Sequence, residues 1–277
     1  MIPGGRRALR VGALAFVVLA LGSLVIWERS RPTTSSDSCT AGEQCTRVLF
    51  VGDSLTFVND LPHMFAALAA SGHHHVVVDM VATGGATFDD HVASPDTAAA
   101  LARQHWDIVV LQEQSQRPST EDLRQAHMYP SARRLVSMVR AAGAQPLFYL
   151  AWAHSNGWPE AGMPNYQAMQ SAIDEGYLDI ANEVNAAVAP VGVAWNNIEN
   201  EGAPIELFQP DGVHPTVAGT YLAAAVFYAA IFGQSPIGLH ARAGLAHADA
   251  ATLQSVASDV VLNAPKNWGL NRLSPTP

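Results

Sequence analysis

Lysine is nearly missing from this 277-residue chain, with Lys266 the only one. No G-x-x-x-x-G-K-[ST] surrounds it, which excludes a P-loop nucleotide site. Cysteine is scarce, at two residues, and there is neither H-E-x-x-H nor a Cys-rich zinc pattern. No metal is therefore expected. G-x-S-x-G is absent too, so the nucleophile elbow of the ordinary α/β-hydrolases is excluded. Charged residues make up only 14%, too few for a solvated, disordered polyelectrolyte. Positive charge is short everywhere except at the start. Residues 1–31 hold five Arg against one Glu, leaving 10 basic against 23 acidic residues in the remainder. Phosphate backbones repel a body of that sign, so nucleic acid is not an expected partner. What is plentiful is apolar: 49% of the residues are hydrophobic, ample for one buried core.

The first residues read as an address. Arg6, Arg7 and Arg10 precede an uncharged run of 17 residues, Val11 to Trp27. Signal-peptide cores span about 7–15 residues and membrane-spanning helices about 17–25. A small-x-small site at Ala20-Leu21-Gly22 lies inside the run, because Leu24, Val25, Ile26 and Trp27 continue it. This favours an uncleaved signal-anchor over residues 1–27, with a cleaved signal peptide as the alternative. The rest of the chain then faces outside the cytoplasm at the cell membrane, or is secreted or periplasmic after cleavage. Residues 28–45 form a polar linker carrying Cys39 and Cys45, a candidate disulfide, since an isolated pair in an exported chain usually joins.

Beyond the linker, short apolar runs alternate with helical patterns. Strands are expected at Arg47–Gly52, Val76–Val81, Trp106–Leu111, Pro146–Trp152 and Val191–Trp195. Helices are expected at Leu61–Ala70, Ala86–Gln104 with an interruption at Ser94-Pro95, Glu121–Ala142 with a break at Pro130, Tyr166–Ala189 and Pro215–Phe232. The last is apolar enough to suggest a membrane span, but it lacks basic flanks and reads as the closing helix of the fold. The alternation argues for one α/β domain over residues 46–277, with a parallel sheet covered on both faces.

Chemistry-bearing segments sit at predicted strand ends, where ligands bind in open α/β sheets. Gly52-Asp53-Ser54-Leu55-Thr56 directly follows strand one. A serine on a tight strand-to-helix turn exposes its hydroxyl beside helix N–H donors, so Ser54 is a candidate nucleophile. Taken alone, the segment also fits a helix N-cap serine. Asp211-Gly212-Val213-His214-Pro215 sets a carboxylate three residues before an imidazole. That spacing lets Asp211 orient His214 as a base, although a plain loop with a surface His has the same residues. The two segments together, in this order, point to a serine hydrolase far more strongly than either alone.

GDSLT near the domain start and DGVHP near its end resemble the GDSL, or SGNH, hydrolase superfamily over roughly residues 46–235. The resemblance implies a flavodoxin-like three-layer α/β/α sandwich, no cofactor, and ester hydrolysis through an acyl-serine intermediate. By similarity Ser54 is the nucleophile, His214 the base and Asp211 the orienting acid. The superfamily's oxyanion hole uses the nucleophile's N–H, a Gly after strand two and an Asn after strand three. Gly85, which precedes x-Thr, is the better match for the Gly, with Gly84 the fallback. The usual G-x-N-D is replaced by Leu111-Gln112-Glu113-Gln114-Ser115, so the chain resembles a divergent branch. Aligned strand ends put Gln114 in the Asn position, with Gln112 as the alternative.

Trp152, His154 and Asn156, followed by Trp158, come after strand four and are candidate substrate-binding residues. His73-His74-His75 reads as a solvated loop rather than a metal tract, and His91 as an exposed or capping side chain. Asp53 is expected to hold the turn without a catalytic role. The expected function is a serine esterase acting on O-acetylated glycans or small acyl esters. An O-acyltransferase on a sugar hydroxyl, or a glycan-binding module without turnover, are the alternatives. The membrane is an expected partner through the N-terminal segment only.

Overall fold

The computed structural model describes residues 45–202 and 204–273. The expected anchor, the linker and Cys39 lie outside the described residues, while Cys45 opens the first strand and is disulfide-bonded. The elements run β1 (Cys45–Gly52), α1 (Ser54–Phe57), α2 (Leu61–Ser71), β2 (His75–Ala82), α3 (Phe88–Ala93), α4 (Pro95–Arg103) and β3 (Ile108–Leu111). They continue with α5 (Glu121–Leu123), α6 (Tyr129–Ala141), β4 (Gln145–Tyr149), α7 (Tyr166–Glu183), β5 (Ala187–Ala189), α8 (Val191–Glu201), α9 (Val217–Phe232) and α10 (His247–Leu262). All strand pairs are parallel, in the order β2-β1-β3-β4-β5. This is the flavodoxin-like order, and it places the topological switch point between β1 and β3.

Continuous apolar strands reflect burial on both faces. Val48–Val51 of β1 and all of β3 are buried. Helices α2, α8 and α10 pack on α9, α8 also packs on α10, and α3 packs on α6. Phe50 of β1, Phe65 of α2 and Phe227 of α9 meet edge to face, joining sheet to helices. Each such buried ring adds roughly 1.5–3 kcal/mol of transfer free energy. Helix α9 is buried almost throughout, capped by the Thr216 side chain at its start and by left-handed Gly233 after its end. Among the described residues no helix is long and apolar enough to cross a membrane.

Several expected elements move. The fifth strand is Ala187–Ala189, not Val191–Trp195, which belongs to helix α8. Val191, Ala194, Trp195 and Ile198 are all buried, and they recur at helical spacing. The true edge strand is only three residues long and mostly alanine, so it carries no strand signature. Helix α7 accordingly stops at Glu183. Pro130 does not break its helix. It lies in the first turn of α6, after a π-helical turn at Arg124–Met128, where the bonding register already changes. Helix α10 was not foreseen, and it covers α9.

Gly219 lets α9 close on α8. A Cβ there would lie 2.4 Å from the Trp195 ring and 2.7 Å from the Leu207 carbonyl oxygen. Trp195 cannot yield, because it stacks on Trp152 with ring centroids 3.9 Å apart. Alanine is the better helix former by about 1 kcal/mol, but the overlap is with backbone and a locked ring. Gly219→Ala is expected to be net destabilising by about 1–3 kcal/mol. A urea melt with an unchanged or raised midpoint contradicts this packing.

Candidate active site

The chain leaves β1 through a turn that begins α1. Asp53 caps this helix, its carboxylate accepting the Leu55 N–H at 2.8 Å. Ser54 is thereby the first helical residue, half-exposed, and its N–H has no acceptor among the described residues. Gln112, fully buried at the end of β3, fixes the turn from beneath. Its Oε1 accepts the Asp53 N–H and the Thr56 hydroxyl, both at 2.8 Å. Its Nε2 donates to the Glu113 carbonyl at 2.8 Å. This engaged, fully buried amide is a brace under the turn.

His214 reaches the turn from 160 residues away. Its Nε2 lies 3.0 Å from Ser54 Oγ, and its Nδ1 lies 2.7 Å from Asp211 Oδ2. A carboxylate can only accept, so Nδ1 carries the proton and Nε2 is left to accept from the serine hydroxyl. Asp211 Oδ1 also accepts the Val213 and His214 N–H groups, each at 2.9 Å. These backbone donors, then the imidazole, push the Asp211 pKa down to about 2, so it stays anionic across the ordinary pH range.

Surrounding loops hold the His214 segment in place. Trp152 Nε1 donates to the Val213 carbonyl at 2.9 Å, and Ser155 N–H donates to the Gly212 carbonyl at 2.8 Å. Asn59 and Gln209 both donate to the Pro215 carbonyl, at 3.0 and 2.9 Å. Asn59 adopts a left-handed φ of 56° to do so. Trp152 is only 1% exposed, which corrects its assignment as a substrate-binding residue: it props the histidine loop instead. Asn156 is exposed on the neighbouring loop. His154 is half-buried, with Nε2 2.9 Å from the Ser115 hydroxyl, and burial lowers its pKa.

The other candidate donors flank the turn. Gly85 has a φ of +70°, which suits the third residue of the Thr83–Ala86 turn, closed by Ala86 N–H on the Thr83 carbonyl at 3.0 Å. Its N–H has no acceptor among the described residues, and a Cβ on Gly84 or Gly85 would meet nothing within 4 Å. Gln114 Oε1 accepts the Gln116 N–H at 3.0 Å, which fixes the amide orientation and leaves Nε2 with one long contact, 3.4 Å, to Gln116 Oε1.

Supporting residues escaped the sequence reading. His91, expected to be exposed or capping, is 3% exposed beneath the same turn. Its Nε2 must donate to the Gly52 carbonyl, at 2.9 Å, so its Nδ1 accepts from the Thr97 hydroxyl at 3.1 Å. Burial lowers its pKa and keeps it neutral. Glu113 is 1% exposed and accepts the Phe88 and Gln114 N–H groups at 3.0 and 2.8 Å. Burial pushes its pKa up to about 8. Gln170 of α7, also buried, accepts the Ala153 N–H at 2.7 Å and pins the loop after β4. No sequence signal marks them, because each has a polar neighbour in the chain and its burial shows only in the folded structure. The histidine run disperses: His73 takes the turn before β2, His74 stacks on Phe232 at 3.8 Å, and His75 begins β2.

Burial also pushes the Asp53 pKa up, to about 6 from an ordinary 3.8. A raised folded-state value means that this contribution is complete below about pH 4 and is lost as pH rises through about 6. Asp53→Asn keeps the cap acceptor and removes the titration. Its melting temperature relative to the parent is expected to rise between pH 4 and pH 7, by the equivalent of up to about 3 kcal/mol. A difference independent of pH contradicts the buried, proton-binding state.

Comparison with known proteins agrees with this geometry. Residues 37–222 match the family model of the GDSL-like lipase/acylhydrolases. A solved protein from Slackia heliotrinireducens, assigned to the SGNH hydrolases, is 34% identical over 66% of this chain and 97% of its own, with a TM-score of 0.55. A DUF4886 family protein from Bacteroides uniformis shares the fold at 19% identity, over 80% of this chain and 95% of its own, with a TM-score of 0.68. An acetylxylan esterase from Geobacillus stearothermophilus shares it at 18% identity, over 66% and 92%, with a TM-score of 0.50. No functionally curated protein matches the chain. The family match spans the serine turn, the glycine turn and the altered block after β3, and by it the chain belongs to the GDSL-like lipase/acylhydrolase family, the SGNH hydrolases, as a carboxylic ester hydrolase.

Proposed function

We propose that this protein hydrolyses small acyl esters, O-acetyl groups among them, through an acyl-serine intermediate. The observation that carries the reading is the unbroken relay from Ser54 Oγ to His214 Nε2 at 3.0 Å and from His214 Nδ1 to Asp211 Oδ2 at 2.7 Å. Ser54 Oγ attacks the ester carbonyl while His214 Nε2 takes its proton, and Asp211 stabilises the imidazolium. The carbonyl oxygen gains negative charge and rests on the N–H groups of Ser54 and Gly85 and on Gln114 Nε2. Collapse expels the alcohol, which takes the proton from His214. Water, deprotonated by His214, then releases the acid and regenerates Ser54.

Solvent access supports hydrolysis over acyl transfer. The His214 side chain is 34% exposed and that of Asp211 48%, so water for the second step is at hand. The relay's completeness argues against a binding module, which has no use for a poised nucleophile. Large apolar side chains left exposed support an acyl or apolar alcohol group at the rim. Phe57 ends the helix that Ser54 begins, and Val217 lies three residues beyond His214. We also place the enzyme outside the cytoplasm, supported by the arginine-led apolar run at the N-terminus and by the disulfide-bonded state of Cys45.

Hydrolysis of p-nitrophenyl acetate by the full chain tests the mechanism. Ser54→Ala is expected to lose about 10⁴-fold or more in kcat/KM. Retained activity excludes the acyl-serine route. Gln114→Ala is expected to cut kcat about 10²-fold with KM little changed; an unaffected kcat removes Gln114 from the oxyanion hole. Phe57→Ala is expected to raise KM for the butyrate ester more than for the acetate, and equal effects on the two contradict the apolar rim.

A further inference from the structure

Two of the proposed oxyanion donors come from separate loops, the Gly85 turn after β2 and Gln114 after β3, and one buried side chain bonds both the Gln114 N–H and the helix start that follows the Gly85 turn. We propose that Glu113 is a positioning residue for the oxyanion hole: its carboxyl oxygen fixes the spacing between these loops. The proposal rests on the ester-hydrolase reading of the site.

Glu113 Oε1 accepts the Gln114 N–H at 2.8 Å and the Phe88 N–H at 3.0 Å. The first bond sets the backbone that carries the Gln114 amide. The second seizes the first residue of α3, three residues beyond Gly85. That helix start is itself stiff, since Thr87 and Asp90 cap each other reciprocally. The Phe88 side chain is fully buried, so the loop cannot slide past its anchor. Glu113 is tied down in turn, its own N–H donating to the Tyr177 hydroxyl of α7 at 2.9 Å. The strut is therefore rigid at both ends, as preorganised donors require.

Charge gives the strut a second property. Glu113 faces Arg117 and Asp89, with Tyr177 behind it, and burial outweighs the Phe88 and Gln114 N–H donors and the weaker Arg117 field, so the carboxyl is neutral below about pH 8. A neutral acid accepts both hydrogen bonds without placing negative charge behind donors that must stabilise a developing anion. Ionisation would oppose that anion at short range and in a low-dielectric site.

Two full-chain variants separate this role from simple support of the fold. Glu113→Gln keeps an acceptor oxygen at the same reach and cannot ionise. Glu113→Asp keeps the carboxyl but falls one methylene short. Turnover of p-nitrophenyl acetate is measured per active site, the sites being counted by a fluorophosphonate burst. E113Q is expected to keep the parent kcat, whereas E113D loses about tenfold to a hundredfold in kcat with KM little changed. The parent kcat is expected to fall as pH rises through about 8, and E113Q to lack that limb. An E113D kcat equal to the parent's, equal losses in the two variants, or a loss confined to the number of titratable sites overturns the proposal. Failure of the parent itself to react with the probe overturns the esterase reading and the strut with it.

Discussion

The serine turn is held by two hydrogen bonds to a single buried oxygen, Gln112 Oε1, which accepts from Asp53 N–H and from the Thr56 hydroxyl. Everything chemical at this site depends on that turn. It orients Ser54 Oγ toward His214 and leaves Ser54 N–H without an acceptor among the described residues. A buried amide with its oxygen doubly bonded and its nitrogen donating to the Glu113 carbonyl cannot rotate without stranding polar groups. The short segment after β3 extends this logic residue by residue. Gln112 braces the serine turn, Glu113 holds the start of α3 that follows the glycine turn, Gln114 presents an amide, and Ser115 meets His154. The departure from G-x-N-D is therefore not decay of one donor. It is a different way of fastening three neighbouring segments to one strand end.

Charge at the site is sorted by depth. Asp211, at the surface, is stripped of its proton by backbone N–H groups and the imidazole. Asp53 and Glu113, beneath it, are driven toward the neutral form by burial. His91, also buried, is driven the same way and keeps its proton on the nitrogen that holds Gly52. The one carboxylate needed as an anion is thus kept where water and N–H donors solvate it. Those needed only as hydrogen-bond partners sit where an anion would be costly.

Much of the site was legible because its key contacts are local or strand-terminal. Asp211 and His214 lie three residues apart, and Ser54 follows the first strand directly, so motif and position agree. Gly85 was legible because a left-handed turn selects glycine. The choice between Gln112 and Gln114 was not, since residues two apart on an extended chain share a face and only the packed structure shows that Gln112 is fully buried and Gln114 partly exposed. Trp152 was misread for a related reason. A tryptophan after a strand end fits a pocket wall and a prop equally well until its stacking on Trp195 is seen.

For the fold, apolar runs alternating with helical periodicity were enough to establish a covered parallel sheet, because burial on both faces leaves its mark in composition. The exception was β5, whose alanines pair at the sheet edge and look like the tail of a helix. Spacing and chemistry along the chain therefore settled the class of fold, the nucleophile segment and the base segment. Strand order, the register that brings His214 to Ser54 across 160 residues, and the buried oxygens that hold the loops were settled only by tertiary packing. Those contacts join residues remote in sequence, and their cost or benefit depends on desolvation, a property that no single stretch of chain possesses.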